Sequence, residues 1–459
     1  MIPSENTLSA LEELLSARLL GPDATFHGVS TDTRRLQPGE LYVALRGEHF
    51  DGNAFIREAA AGGAAGAVVE QPLMDVELGQ LQVDDGVLAL GKLGGISRQA
   101  SDACFLAITG SQGKTTVKEM AGAICESRAA TLVTSGNLNN AIGVPLTLLR
   151  LETSHRYAVI ELGASARGEI AETVALVQPD AALINNAAAT HVEGFGSLDG
   201  VVEGKGEIID GVRSGGAVVL NADDPAFPRW RERAAGLRLV TFSLHDKEAD
   251  FYARDVELDG TVSRFVMRTP EGTVGVRLML PGRHNVANAL AAAALCHCAG
   301  IDGAAIARAL ETVRPVSGRL ETLPGLHGSV LLDDSYNASP SSFRAAVDVL
   351  VALAVSRQRR AIVITGVMAE LGSEAAELHR QAGAYARSLG VEELWALGPC
   401  SDDWCEGFGA GARKFASHEE IVSHAEHALG EDHAVLVKGS RSAAMDRIID
   451  ALRIKGDSF

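Results

Sequence analysis

A chain of 459 residues is too long for one compact core, and a scale of about 150 residues per domain suggests three. Apolar residues make up 46% and charged residues 22%, which excludes a disordered or fibrous protein, and 49 glycines without a triplet period exclude collagen. With 59 acidic against 41 basic residues the net charge is −18, so the surface is unsuited to wrapping a nucleic-acid backbone, and an anionic ligand must be met by a local positive site.

The first residues, MIPSENTLSALEELL, have no basic n-region and no apolar h-region, so no signal peptide is expected. The longest uncharged apolar stretch, around Ala287–Ile301, is shorter than the ~20 residues of a membrane span. The expectation is a soluble, cytoplasmic chain. Its six cysteines form no doubled CxxC and read as small reduced hydrophobes, with Cys296 and Cys298 on different helix faces and Cys400 and Cys405 bracketing an acidic loop.

Leu8–Leu20 has helical apolar spacing, Leu41–Leu45 and Ala67–Val69 read as short strands, and a helical run near Ala54–Ala61 lies between them. This is a small α/β module. From about Ala103, strands of buried type alternate with helices: ACFLAIT and a helix from Lys114, YAVIEL and EIAETVALV, AALINNAA and a helix around Lys205, then GAVVLN. Such alternation predicts a parallel sheet covered on both faces. YARDVELD, VSRFVMRT and VGVRLML read as an antiparallel insert at its edge, followed by helices at Asn285–Ala299 and Ala304–Val313. After a break at Pro315 a second βα series begins: VLLDD, a helix after Pro340, RAIVITG, a helix near Glu374–Ser388, LWALG, a helix near Glu419–Leu429, AVLVKG and a last helix from Ala443. The fold class is therefore α/β in three domains: a small N-terminal module (1–85), a central P-loop parallel-sheet domain (86–313) and a C-terminal Rossmann-like parallel-sheet domain (314–459).

The strongest local signal is TGSQGKTT, Thr109–Thr116, which follows a buried strand and opens a helix. Backbone N–H groups of Gly110, Ser111, Gln112 and Gly113 can cradle phosphate, Lys114 can reach the terminal phosphates, and the hydroxyls of Thr115 and Thr116 stand ready for metal or phosphate. Two residues rather than four separate Gly110 from Gly113, which departs from the usual Walker A spacing. Glu161 ends YAVIE, where a carboxylate faces the crevice at the carboxyl end of a parallel strand and can hold Mg²⁺. His191 also lies past a strand end, whereas Lys205 alone would read as a surface lysine. No GxSxG elbow is present for a hydrolase triad.

Together these pieces resemble the Mur ligase family, ATP-dependent amide ligases of peptidoglycan precursor synthesis. The shortened loop TGSQGKTT is similar to the family's own. NLNNAIGVPLTL (Asn137–Leu148), ELG (Glu161–Gly163), the His191 stretch, PGRHNVANALAA (Pro281–Ala292), GRLE (Gly318–Glu321) and DDSYNASPSS (Asp333–Ser342) follow in order. STDTRRLQPGELYVALRGEHFDGNAFI (Ser30–Ile56), DDSYNASPSS and VMAELG resemble the branch that joins D-alanyl-D-alanine to UDP-N-acetylmuramoyl-tripeptide, and no DNPR-type stretch of the diaminopimelate-adding branch occurs. Where family members often read GDMxELG this chain has Val367 in the acidic position.

The resemblance implies roles for particular residues. One Mg²⁺ would be held by Thr115 and Glu161, and a second through His191 and a carbamylated lysine at Lys205. Asn288 would contact adenine, and Arg319 and Asp334 would contact ATP from the last domain. Lys438 matches a basic stretch of the family. Ser30, Thr31 and Asp32, with Asn139 and Asn140, would meet the UDP-tripeptide, and Asn337 and Ser339 the dipeptide. Lys114, His191 and Lys205 would be the catalytic set of a monomeric enzyme that works through an acyl phosphate. Three other readings compete: a regulatory NTPase, for which the base-reading NKxD motif is missing; another amide ligase, which would lack the Ser30–Ile56 stretch; and a nucleotide-binding module without chemistry, which Lys114, Glu161, His191 and Lys205 argue against.

Overall fold

The computed structural model describes residues 6–47, 50–188 and 192–454. Three main sheets carry the chain. The first has five strands in the order Arg18–Leu20, Gln80–Gln82, Gly66–Val69, Glu40–Val43 and Gly28–Ser30, parallel except for the first pair. The helix expected over Leu8–Leu20 stops at Leu15, where Ser16 adopts a left-handed conformation (φ 58°), and Arg18–Leu20 turn back as an edge strand. The apolar spacing of that segment therefore changes period part-way, a switch that helical periodicity alone does not reveal.

The central sheet has nine strands. Their order is Gly272–Leu278, Ser263–Thr269, Phe251–Leu258, Arg238–Ser243, Ala217–Asn221, Ala181–Ile184, Cys104–Thr109, Tyr157–Glu161 and Thr131–Val133. The three strands of the expected insert are antiparallel to each other and extend one edge of the parallel sheet. Both faces are covered. Helices Lys114–Glu126 and Arg283–Cys298 pack on one core, and helices Gly143–Leu148, Glu169–Val177 and Leu198–Asp210 on the other. The strand Arg238–Ser243 and the helix Gly86–Gln99 had no counterpart in the sequence reading. The strand alternates burial weakly, and the helix has six apolar residues diluted by four glycines.

Arg98 fixes that helix. Its buried guanidinium donates to the carbonyls of Val177 (2.6 Å) and Gln178 (3.0 Å) and lies 3.7 Å from the Phe105 ring centroid. The third sheet orders Glu321–Pro324, Val330–Asp334, His433–Lys438, Arg360–Thr365, Glu393–Leu397 and Ala412–Phe415, parallel apart from its first strand. The segment expected as an acidic loop between Cys400 and Cys405 is instead a helix, Ser401–Phe408. Its Trp404 is fully buried against Phe343, and the pattern of two acids in its first turn favours a helix start. All six cysteines are free, and no described helix is long and apolar enough to cross a membrane.

Replacing Arg98 by alanine strands the buried Val177 carbonyl, removes the bond to Gln178 and leaves a cavity beside Phe105, and is expected to lower the unfolding free energy by about 3 kcal/mol in denaturant titration.

Candidate active site

The strand order reverses at Cys104–Thr109, which has Tyr157–Glu161 on one side and Ala181–Ile184 on the other. In an open parallel sheet that switch point opens a crevice beyond the carboxyl ends of the strands. The turn Gly110–Gly113 sits there and leads into the helix Lys114–Glu126, whose N-cap is Gly113. Gly113 has φ 75°, and a β-carbon on it would lie 2.5 Å from Asn288 Oδ1 and 2.6 Å from Asn185 Nδ2. The position therefore requires glycine on two counts, backbone conformation and space.

Two side-chain amides hold this turn open. Asn185 Nδ2 donates to the Gln112 carbonyl (2.9 Å) and to Asn288 Oδ1 (3.0 Å). Asn186 Oδ1 accepts from Gln112 N (2.9 Å). Ser111 Oγ donates to the Ala188 carbonyl (3.1 Å), and Asn221 Nδ2 donates to the Asn185 carbonyl (3.0 Å). Lys114 Nζ folds back on the Gly110 carbonyl at 2.7 Å, and burial pulls its pKa down against the opposing charge of Glu161. These bonds leave the helix end as an electropositive pocket for phosphate.

Glu161 is 2% exposed, with Oε1 accepting from Asn139 Nδ2 at 2.8 Å. Its Oε2 is buried without a partner among the described residues. Lys118 braces the strand beside it, donating to the Thr134 carbonyl (3.0 Å), while the Thr134 hydroxyl accepts from Glu161 N (3.0 Å). A buried carboxylate oxygen with no donor fits a hard cation. Among the described residues no cluster of three or more His, Cys, Asp or Glu side chains could hold a metal by itself.

Among the described residues three lysines are fully buried, and they differ in their partners. Lys118 meets Glu119 at 2.5 Å, and Lys438 meets Asp334 at 2.5 Å and the Asn337 carbonyl at 2.8 Å. Lys205 has no ion pair among the described residues, only a 3.4 Å bond to the Ala164 carbonyl and the Phe195 ring 5.2 Å away. Burial, with the nearby Lys114 charge adding to it, brings the Lys205 ammonium down to about 7.

The third sheet closes the crevice. A cavity of about 600 Å³ is lined from the central sheet by the phosphate turn, Asn139, Glu161 and Asn288 and from the other side by Arg319, Asp334, Asn337, Ser339 and Lys438. Arg319 lies 4.3 Å from the Tyr336 ring centroid, and Asp333 below it accepts from Gly318 N and from Ser335.

Three family models match in order along the chain: Mur ligase family, catalytic domain (residues 25–85), Mur ligase middle domain (108–296), and Mur ligase, glutamate ligase domain (318–441). The UDP-N-acetylmuramoyl-tripeptide–D-alanyl-D-alanine ligase of Escherichia coli K12 is 44% identical over 98% of this chain and 99% of its own. The chain belongs to the Mur ligase family. The Haemophilus influenzae enzyme of the same name is 38% identical over 97% of this chain and 98% of its own. A crystal structure of MurF from Acinetobacter baumannii superposes with a TM-score of 0.89 at 33% identity, covering 96% of this chain and 97% of that one.

In this Mur ligase the expected residues fall into separate groups. Gly110, Ser111, Gln112, Gly113, Lys114, Thr115, Thr116, Glu161 and Asn288 gather around the turn, although Gly110 and Lys205 are outside the cavity lining. Asn288 has its carboxamide engaged on Asn185 and Asn285, so in this arrangement it buttresses the turn. Ser30 ends the strand Gly28–Ser30 and Thr31 and Asp32 follow it, away from the cavity lining, and Asp32 is held by Arg34, whose hydrogen bonds bring its carboxyl down to about 2. Asn140 also lies outside the lining and accepts from the N–H groups of Ile142 and Gly143. His191 lies outside the described residues.

The sequence reading passed over Asn185, Asn186 and His284. The asparagines stand in plain view as NN after a buried strand, a place where amides outrank loop solvation. His284 lines the cavity from within the quoted HNVAN run, and burial brings its imidazole down to about 4 against the pull of Asp334.

Gly113→Ala is expected to weaken ADP binding by about tenfold or more in calorimetric titration, since the turn must shift to clear Asn288. Wild-type affinity in that variant would contradict the geometry above.

Proposed function

We infer that this protein is an ATP-dependent ligase that joins D-alanyl-D-alanine to UDP-N-acetylmuramoyl-tripeptide, giving UDP-N-acetylmuramoyl-pentapeptide, ADP and phosphate. The observation that carries this reading is the cavity itself. A phosphate turn with Lys114 and a half-unpaired Glu161 faces, across one 600 Å³ space, a basic and hydroxyl-bearing wall built from the third sheet. The names of the relatives that match over nearly the whole chain support the choice of substrates.

The chemistry follows from the electrophile. A carboxylate resists an amine, so the tripeptide carboxylate oxygen first takes the γ-phosphoryl group of ATP, with ADP leaving. The dipeptide amine then attacks the acyl carbon. A C–N bond forms, the C–O bond to phosphate breaks, phosphate departs with the electron pair and the amine gives up its proton. Lys114 and the N–H groups of the turn stabilise charge on the transferring oxygens, which is where positioned donors matter most. Closure of the third sheet over the cavity excludes the water that would hydrolyse the acyl phosphate.

Mg²⁺ bound at Thr115 and the free oxygen of Glu161 would neutralise part of the triphosphate charge. A second ion would use His191 and a carbamate on Lys205. That modification needs a neutral amine: Nζ attacks carbon dioxide, the N–C bond forms and one proton is lost, leaving a carboxylate. A lysine brought to about 7 without an ion-pair partner suits it. We assign the UDP end of the substrate to residues 1–85 through Ser30, Thr31 and Asp32, ATP to residues 86–313, and the dipeptide to residues 314–459 through Asn337 and Ser339. The protein is proposed to act as a cytoplasmic monomer.

Phosphate release from ATP should require the UDP-tripeptide and D-alanyl-D-alanine together, and release that ignores both would sink the ligase reading. Lys205→Ala should lose activity that excess bicarbonate does not restore. The carbamate signal in ¹³C-bicarbonate NMR should grow as pH rises through about 7, because the depressed pKa keeps the amine protonated only below that value. A pH-independent signal, or near-wild-type turnover of Lys205→Ala, would refute the carbamate.

A further inference from the structure

The side chain of Gln112 does not stay with the phosphate turn. Its backbone is fixed there on both sides, since N donates to Asn186 Oδ1 and the carbonyl accepts from Asn185 and Asn186. The carboxamide crosses the cavity. Its Nε2 donates to Ser339 Oγ at 2.9 Å and to Ser341 Oγ. Both serines belong to the start of the helix Pro340–Ser356, where Ser339 is the N-cap of a capping box with Ser342. A primary amide has two N–H groups, and here each has its own hydroxyl.

The rest of that helix is seated against the central sheet as well. Val349 packs at Gly282, where a β-carbon would lie 2.8 Å from Val349 Cγ2. At the far end Leu353 meets the tip of the hairpin between Phe251–Leu258 and Ser263–Thr269. A β-carbon on Gly260 there, at φ 82°, would lie 2.4 Å from Leu353 Cα. Ser342, Ala345, Val349 and Leu353 follow the spacing of one helix face. The helix is therefore held along its length by shape, and at its N-terminal end by hydrogen bonds from a single side chain of the phosphate turn.

We propose that the Gln112 side chain is a positioning group, which keeps the N-terminal end of helix Pro340–Ser356 in register with the phosphate turn and so delivers the dipeptide amine to the acyl phosphate. The proposal rests on the ligase reading above, which places the dipeptide near Asn337 and Ser339. It separates two functions within one residue. The Gln112 backbone, tied to Asn185 and Asn186, braces the turn that serves the nucleotide, and its side chain serves the second substrate. Loss of the side chain leaves the N–H groups of the turn in place, so nucleotide binding is retained while amine capture falls and water competes for the acyl phosphate.

The test compares wild type, Gln112→Ala, Ser341→Ala and the double variant in one assay that follows phosphate and pentapeptide together, with ADP affinity measured by calorimetry. Gln112→Ala should lower kcat/KM for D-alanyl-D-alanine by about tenfold, the loss expected for one or two neutral hydrogen bonds, with ADP affinity kept within about twofold. More than one phosphate should be released per pentapeptide formed. Ser341 is exposed, so Ser341→Ala tests the same contact without burden on folding, and it should show a smaller loss of about threefold. The double variant should be no worse than Gln112→Ala alone. Unchanged dipeptide kinetics in Gln112→Ala, a parallel loss of ADP affinity, or fully additive losses in the double variant would each overturn the proposal. If wild type itself releases phosphate without both substrates, it is the ligase reading that fails, whatever the variants do.

Discussion

Everything at this site depends on a backbone turn that must stay open to phosphate while being packed from behind. Gly113 permits the approach of Asn185 and Asn288, and those two amides hold Gln112 and the start of the helix Lys114–Glu126 in place. The support is made of neutral amides. That choice matters in a chain of net charge −18, because carboxylates in the same positions would compete with phosphate for the helix N-terminus, while additional lysines would need partners of their own. On the central-sheet side of the cavity the positive potential is concentrated at the N-terminus of the helix Lys114–Glu126 and at Lys114.

The buried lysines show how environment divides one residue type into different tasks. Lys118 and Lys438 are neutralised by carboxylates at hydrogen-bond distance, so their charge is structural: one braces the strand that carries Glu161, and the other ties Asp334 to Asn337 across the third sheet. Lys205 is buried as deeply with no such partner among the described residues, and its ammonium is correspondingly unfavourable. A buried amine that is easily neutral is a nucleophile rather than a counter-ion. The contrast, more than the burial of Lys205 alone, supports the proposal that this lysine is carbamylated.

Much of this was legible in the sequence, for a physical reason. Buried parallel strands are short unbroken apolar runs, and helices between them carry period 3.6, so most strands of the central and last sheets could be read in order, while short or partly exposed ones such as Arg238–Ser243 and Ala412–Phe415 could not. The phosphate turn was legible because its requirements are local: two glycines, a lysine and hydroxyls at the start of a helix. What escaped is what depends on tertiary context. The helix Ser401–Phe408 hid behind its acidic residues, and the strand Arg18–Leu20 behind helical spacing. The partnership of Asn185 with Asn288, 103 residues apart within the central layer, and that of Gln112 with Ser339 and Ser341 between two sheets leave no trace in local pattern, because no spacing rule links residues brought together only by tertiary packing. Lys205 sits between these cases. Its helix was plain, but its burial was not, and only the resemblance to a family raised it above a surface lysine.

The central claim is that a carboxylate oxygen of the tripeptide becomes an oxygen of the departing phosphate. The direct measurement is a single turnover with UDP-N-acetylmuramoyl-tripeptide carrying ¹⁸O in its terminal carboxylate, followed by mass analysis of the phosphate. Transfer of one labelled oxygen to each phosphate formed is the result predicted here. Phosphate free of label, with pentapeptide formed in equal amount, would contradict it.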